Sequence, residues 1–243
     1  MKSFGLPFRV RRALLCGIAL LPLQTLAQGT QAHAVAELHA HIDIAPGQLK
    51  GHPPAAVVWL TPMSAEPADT PLHPSRFTLV QKNRMFMPHL LVVPVGSVVS
   101  FPNEDPFFHN VFSYFNGKRF DLGLYEAGKS KDVTFSREGV SYIFCNIHPE
   151  MSAVVLALST PYFATANQDE SVHLESIPAG EYEMHVWIEG LTQPDLERLV
   201  RHIHLSPGKS ESLSLDAREL SREPASHLNK FGQPYDRTPK PAY

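Results

Sequence analysis

Apolar positions in this chain fall in short runs separated by turn residues, not at helical spacing. Runs rich in Val, Ile, Phe and Tyr occupy residues 55–60, 77–82, 89–93, 97–101, 110–114, 132–135, 141–145 and 153–158. Gly96, Asn116-Gly117, Gly128 and Glu138-Gly139 supply turns between them. A second such block follows Ser159-Thr160-Pro161, with strands expected at 171–175, 183–188, 202–206 and 210–215 and a turn at Pro178-Ala179-Gly180. Helical amphipathic stretches are scarce, and residues 194–200 are the one short helix candidate. Short strands at regular spacing predict an all-β chain built of sandwiches. Residues 61–74, rich in Pro, Ala and Asp, read as a surface loop, and the polar, proline-punctuated residues 219–243 as a loosely ordered tail.

Residues 1–27 read as a secretory signal and not as part of the fold. Arg9, Arg11 and Arg12 precede an apolar run over 13–23, and Thr25-Leu26-Ala27 offers small residues for cleavage. The expected location is therefore periplasmic. Cys16 lies inside the run behind Leu14 and Leu15, where lipid attachment would want a small residue. No stretch approaches the roughly 18 apolar residues of a spanning helix, so no membrane span is expected.

Removing that segment takes four of the 21 Lys+Arg and no acidic residue, which leaves 17 basic against 24 acidic side chains, a net charge of about −7. This balance argues against nucleic acid or anionic membrane as a partner. It also leaves a single cysteine, Cys145. One thiol cannot form an internal disulfide, and in an oxidising compartment it must be buried or committed to chemistry.

The segment Tyr142-Ile143-Phe144-Cys145-Asn146-Ile147-His148-Pro149-Glu150-Met151 carries the strongest chemical signal. An electron-transfer copper site needs a soft thiolate, two imidazoles and a weak axial thioether. Cys-x-x-His-x-x-Met packs three of these into seven residues between two expected strands, and His109, 36 residues before Cys145, offers the second imidazole. The expected site is one copper ion in a plane of His109, Cys145 and His148, with Met151 axial. Phe107, Phe108, Phe112, Ile143, Phe144 and Ile147 would exclude water around it. Taken singly, a Cys at a strand end is commonly a small buried hydrophobe, and Met commonly core. Zinc competes for Cys and His, but its structural sites take more Cys or His and no Met. A Cys-His nucleophilic pair is a further alternative.

These residues resemble the cupredoxin family, the plastocyanin and amicyanin type, over residues 78–158. The resemblance includes Phe86-Met-Pro-His-Leu-Leu-Val-Val-Pro-Val-Gly-Ser-Val-Val-Ser-Phe-Pro-Asn103, His109-Asn110-Val111 and the ligand loop, whose two-residue gap between His148 and Met151 is similar to the short amicyanin type. It implies a Greek-key β-sandwich with copper at one end. It also implies that Asn110 ties the two ligand-bearing loops together by hydrogen bonds and that His148 is the electron port. Met85 and Met87 are read as packing in the neighbouring strand. The excursion over 107–128 departs from the family pattern.

The flanks resemble a carboxypeptidase-regulatory-like β-domain. Gly51-His-Pro-Pro-Ala-Ala-Val-Val-Trp-Leu60 is similar to its opening, and Ser171-Val-His-Leu-Glu-Ser-Ile-Pro-Ala-Gly-Glu-Tyr-Glu-Met-His-Val-Trp187 to its closing half. The expected organisation is a signal at 1–27, an N-terminal β segment and loop at 28–76, the cupredoxin at 77–159, a regulatory-like β domain at 160–218 and the tail at 219–243. The two flanks are read as one small sandwich split by the cupredoxin, with two separate units as the alternative.

His39-Ala40-His41 and His202-Ile203-His204 each place two imidazoles on one strand face. All four could hold a second metal if those strands were adjacent. Glu104-Asp105 before Pro106 reads as a turn. The functional expectation is an exported one-electron carrier that is not an enzyme and docks redox partner proteins weakly near His148. A periplasmic copper-binding or delivery protein is the alternative.

Overall fold

The computed structural model describes Met1 and residues 34–45, 54–64, 72–114, 117–220 and 228–235. Apart from Met1, the expected signal segment lies outside the described residues. So do residues 51–53 of the flank motif, 65–71 of the surface loop, Phe115 and Asn116, and residues 221–227 and 236–243 of the tail.

Among the described residues the strands are β1 (Val35–Asp43), β2 (Ala56–Pro62), β3 (Arg76–Thr78), β4 (Val80–Lys82), β5 (Met85–Met87), β6 (Leu90–Pro94), β7 (Val98–Pro102), β8 (His109–Ser113) and β9 (Phe120–Tyr125). They continue with β10 (Ser130–Thr134), β11 (Gly139–Phe144), β12 (Ser152–Leu158), β13 (Phe163–Thr165), β14 (Ser171–Pro178), β15 (Gly180–Ile188), β16 (Arg201–Leu205) and β17 (Ser210–Asp216). One helix, α1 (Gln193–Arg198), starts at an N-cap where the Thr192 side chain accepts from the Asp195 N–H, with proline in its first turn. The fold is all-β.

One sheet runs β6-β12-β11-β8-β9 and a second β10-β7-β3, and together they enclose one core. Two more sheets, β14-β1-β17 and β13-β2-β15-β16, enclose the other. β12 belongs to both. Its alternate residues Ala153, Val155 and Ala157 enter the first core with Val99, Phe101 and Ile143, while Val154, Leu156 and Leu158 enter the second with Val58 and Trp187. A strand covered on both faces must be apolar throughout, which is why Ala153–Leu158 has no polar alternation.

The flanking strands interleave. β1 pairs antiparallel with β14 and parallel with β17, and β2 pairs antiparallel with β13 and β15. β1 shows the period-2 pattern of a half-buried strand: Ala36, Leu38, Ala40 and Ile42 point inward, and Glu37, His39, His41 and Asp43 alternate with them. Beyond its His-x-His face, this strand is not among the expected apolar runs. The run expected over 77–82 divides at the buried Leu79: β3 pairs with β7, whereas β4 turns to β5. The excursion over 107–128 resolves into the β8–β9 pair at the edge of the largest sheet. Met85 and Met87 do not pack as expected. Phe86 takes the core position and its two neighbours on β5 project to solvent.

From residue 33 onward the chain forms one compact unit. A polar clasp joins its two sandwiches. His89, between β5 and β6, places Nε2 2.6 Å from Glu189 just after β15 and Nδ1 3.2 Å from the Ser152 carbonyl. Glu189 also accepts the Ala55 N–H. The Glu189 hydrogen bond holds the His89 imidazole above its ordinary pKa against the opposing effect of burial. Burial alone would raise the Glu189 carboxyl, but the His89 contact outweighs it and the carboxyl lies below its usual value. No helix among the described residues is long and apolar enough to cross a membrane.

The carboxylate's contribution is present above the unfolded value of about 4.3 and lost as pH falls through the depressed folded value; the imidazole's is full below about 6.5 and lost as pH rises through the raised one. Glu189→Gln is therefore expected to lower stability by up to about 1 kcal/mol between these limits, since the pair is partly exposed. Its deficit should shrink at pH about 9, where the imidazole is neutral. Urea denaturation of both proteins across pH checks this.

Candidate metal centre

The Cys145–Met151 loop closes the β11–β12 hairpin. The register pairs Phe144 with Ser152, so seven residues must turn between adjacent strands. The Cys145 N–H donates to the Met151 carbonyl at 3.3 Å and the Met151 N–H to the His148 carbonyl at 3.0 Å, which folds the loop back on itself. β8 lies beside β11 in the same sheet, paired through Phe112 and Phe144. His109 opens β8, so its side chain reaches the loop from the neighbouring strand.

Three donor atoms converge there. His109 Nδ1 and His148 Nδ1 are 3.1 Å apart, and Cys145 Sγ lies 3.8 Å and 3.7 Å from them. A triangle with these sides has a circumradius of about 2.1 Å, so one point in its plane sits at coordination distance from all three donors. His109, Cys145 and Met151 have no solvent exposure, and His148 is half-buried. Phe107 packs edge-on to His109 and tilted to His148, with the Arg84 guanidinium over its ring at 5.3 Å from the centre. Ile143, Phe112 and Phe144 are buried, whereas Phe108 and Ile147, next in sequence to His109 and His148, are 55% and 43% exposed.

The electrostatics suit a metal better than a free thiol. Burial pushes the Cys145 thiol up, against hydrogen bonds to its sulfur from the backbone N–H groups of Asn110, Ile147 and His148. Burial and then the neighbouring His109 push the His148 imidazole down, so it stands neutral with a lone pair to offer. A cation between them would remove the cost of burying a thiolate.

Asp105, expected to be only a turn residue, proves to be the orienting partner of His109. Its Oδ2 lies 2.7 Å from His109 Nε2, which holds a proton there and turns the Nδ1 lone pair toward Cys145. The Asn83 and Arg84 N–H groups donate to the same carboxylate at 2.7 and 2.9 Å, and Asn103 Oδ1 accepts the Asp105 N–H. Burial would raise this carboxyl, but the hydrogen bonds from Arg84, His109 and Asn83 outweigh it and hold it below its usual value. The legible signal was a carboxylate four residues before a ligand histidine.

Asn110 reaches the ligand loop through its backbone: its N–H meets the Cys145 sulfur, while its side-chain amide donates to Asp121 on β9 at 2.7 Å. A further link to the loop runs through the tail. Lys230 Nζ meets Asp121 at 2.8 Å, and the Lys230 N–H donates to Asn146 Oδ1 at 3.0 Å. The Tyr235 hydroxyl donates to the Cys145 carbonyl at 2.9 Å. Residues 228–235 of the segment read as a loosely ordered tail are thus fastened to the ligand loop.

The two His-x-His pairs do not converge. β1 and β16 lie in different sheets, and His202 and His204 each face a glutamate of β15, Glu183 and Glu181. The four-imidazole site, conditional on adjacent strands, does not form, and all four histidines are exposed.

No family model matches the chain, and no curated protein matches it. Solved structures of the cupredoxin class are similar to part of it. A purple cupredoxin from Nitrosopumilus maritimus is 26% identical over 34% of this chain and 99% of its own, with a TM-score of 0.31. Amicyanin from Paracoccus versutus is 21% identical over 41% of this chain and 97% of its own, also at 0.31. A copper-containing nitrite reductase from Thermus scotoductus is 24% identical over 41% of this chain at 0.34, and this chain spans 26% of it. These likenesses are partial, and the metal centre stands on its own donor geometry.

In a chain carrying Cys16→Ser, Cys145 of the metal-free folded protein is expected to react with a chromogenic disulfide at least about tenfold more slowly than in denaturant, because it is buried with a raised pKa. Stopped-flow absorbance reads both rates.

Proposed function

We propose that this protein is a one-electron carrier with a single type 1 copper ion held by His109, Cys145 and His148, with Met151 as the axial ligand. The observation that carries the reading is the buried triangle of one sulfur and two nitrogens about one coordination-distance point. Copper supplies a Cu(II)/Cu(I) couple that thiolate and imidazole donors together serve in both states. The chain's own residues do the rest. Asp105 and Phe107 fix the His109 ring, the two-sided sheet fixes Cys145, and the closed loop brings the Met151 backbone back to that of Cys145. Four donors of this kind fill the shell and leave no position for a substrate, which favours a carrier over an enzyme.

His148 is the half-buried donor, and Phe108 and Ile147, each the neighbour in sequence of a ligand histidine, are exposed apolar side chains. A redox partner protein would dock there over a small transient interface and exchange its electron through the imidazole edge. The residue 1–27 pattern and the lone thiol favour export to the periplasm.

Copper(II) added to the metal-free protein should produce an intense visible thiolate-to-copper band that bleaches reversibly with reductant, and Cys145→Ser should abolish it. A pale spectrum unchanged by that substitution would sink the proposal. Asp105→Asn keeps the shape but removes a negative charge from the His109 partner. It should raise the reduction potential, by about 60 mV for each tenfold loss in preference for Cu(II) over Cu(I). Spectroelectrochemical titration of both proteins measures the shift.

A further inference from the structure

A second group of donors lies on the outer face of the β14-β1-β17 sheet, built by all three of its strands. His39 on β1 and His173 on β14 are direct antiparallel partners, and their rings stack with centroids 3.9 Å apart at 23°. Stacked in this way, both imidazoles turn Nε2 toward one carboxylate. Glu37 Oε2 lies 3.5 Å from His39 Nε2 and 4.0 Å from His173 Nε2. One ligand atom from each residue falls within 4.8 Å of the other two. Tetrahedral coordination at about 2.1 Å places neighbouring donors about 3.4 Å apart, so small side-chain movements close the site around an ion.

The surroundings hold these donors in place. Ser210 on β17, aligned with Glu37 in the parallel register, donates its hydroxyl to Glu37 Oε2 at 2.8 Å. His173 Nδ1, the nitrogen turned away from Glu37, lies 3.5 Å from Glu175 Oε1. At that separation the pair is an ion-pair contact that places a carboxylate behind the imidazole. His202 and His204 on β16 are more exposed: His204 meets Glu181 alone, and His202 shares Glu183 with His185, but among the described residues those three offer no set of ligand atoms within 4.8 Å of one another.

We propose that Glu37, His39 and His173 form a second metal site for a divalent borderline cation, Zn(II) or Cu(II), with its remaining positions open to water. Two imidazoles and one carboxylate suit these ions and give a hard cation such as Mg(II) or Ca(II) too few oxygen donors. The site shares no residue with Cys145, so it holds whether or not the buried centre takes copper.

Equilibrium dialysis against Zn(II), read as metal per chain, tests it on the full protein and on His39→Ala, His173→Ala and the double variant His202→Ala/His204→Ala. All substituted positions are solvent-exposed, and circular dichroism confirms that each variant folds. The expected result is one Zn(II) fewer per chain, or an affinity at least about tenfold lower at that site, in each of the first two variants. The double variant should match the wild type. Equal loss in the double variant would mean unspecific capture by surface histidines and would overturn the proposal, as would His39→Ala and His173→Ala binding like the wild type. Because each reading is a difference from wild type, zinc taken by the buried centre cancels.

Discussion

Everything else in the molecule depends on β12 being buried on both faces. Most strands of an antiparallel sandwich have one face to bury and one to wet, but β12 supplies one set of alternate side chains to each of two cores. It therefore has little freedom to slip, since a one-residue shift would send each set to the wrong core. β11 is locked to it along six register pairs, and β8 to β11. The candidate donors His109, Cys145 and His148 sit at the ends of these strands, so the flanking sandwich, which contributes none of them, stiffens the sheet that aims them.

Rigidity also comes from the polar shell. Asp105 gathers two backbone N–H groups and one imidazole, and by that means the β4–β5 turn is joined to the start of β8. Asp121 bridges Asn110 to Lys230, and Tyr235 caps the Cys145 carbonyl. The His109 ring is thereby oriented by the chain itself.

The convergence of Cys145 and His148 was legible in the sequence because it is local: both lie with Met151 in one seven-residue loop. His109 was legible because it opens an apolar run. Most strand positions followed from turn residues and β-branched runs. What stayed hidden depended on distant partners. Asp105 reads as a turn until His109 folds over it, and Lys230 and Tyr235 lie in a polar stretch whose composition does not reveal that it docks. Met85 and Met87 were misassigned because apolar character cannot say which side of a short edge strand faces the core. The pairing of β1 with β14, which sets His39 against His173, leaves no trace in either segment alone.

The interleaving of the flanks has a consequence for the order in which the chain can fold. β1 and β2 find their partners only in β13–β17, more than a hundred residues further along, whereas the strands of the inner sandwich pair within a much shorter span. Closing a long loop costs entropy before its contacts repay it. The inner sandwich can therefore assemble while β1 and β2 still wait, and the act of bringing β14 and β15 home is what draws the two ends of the described fold together. The inner sandwich acts as the spacer that sets the distance this late closure must span.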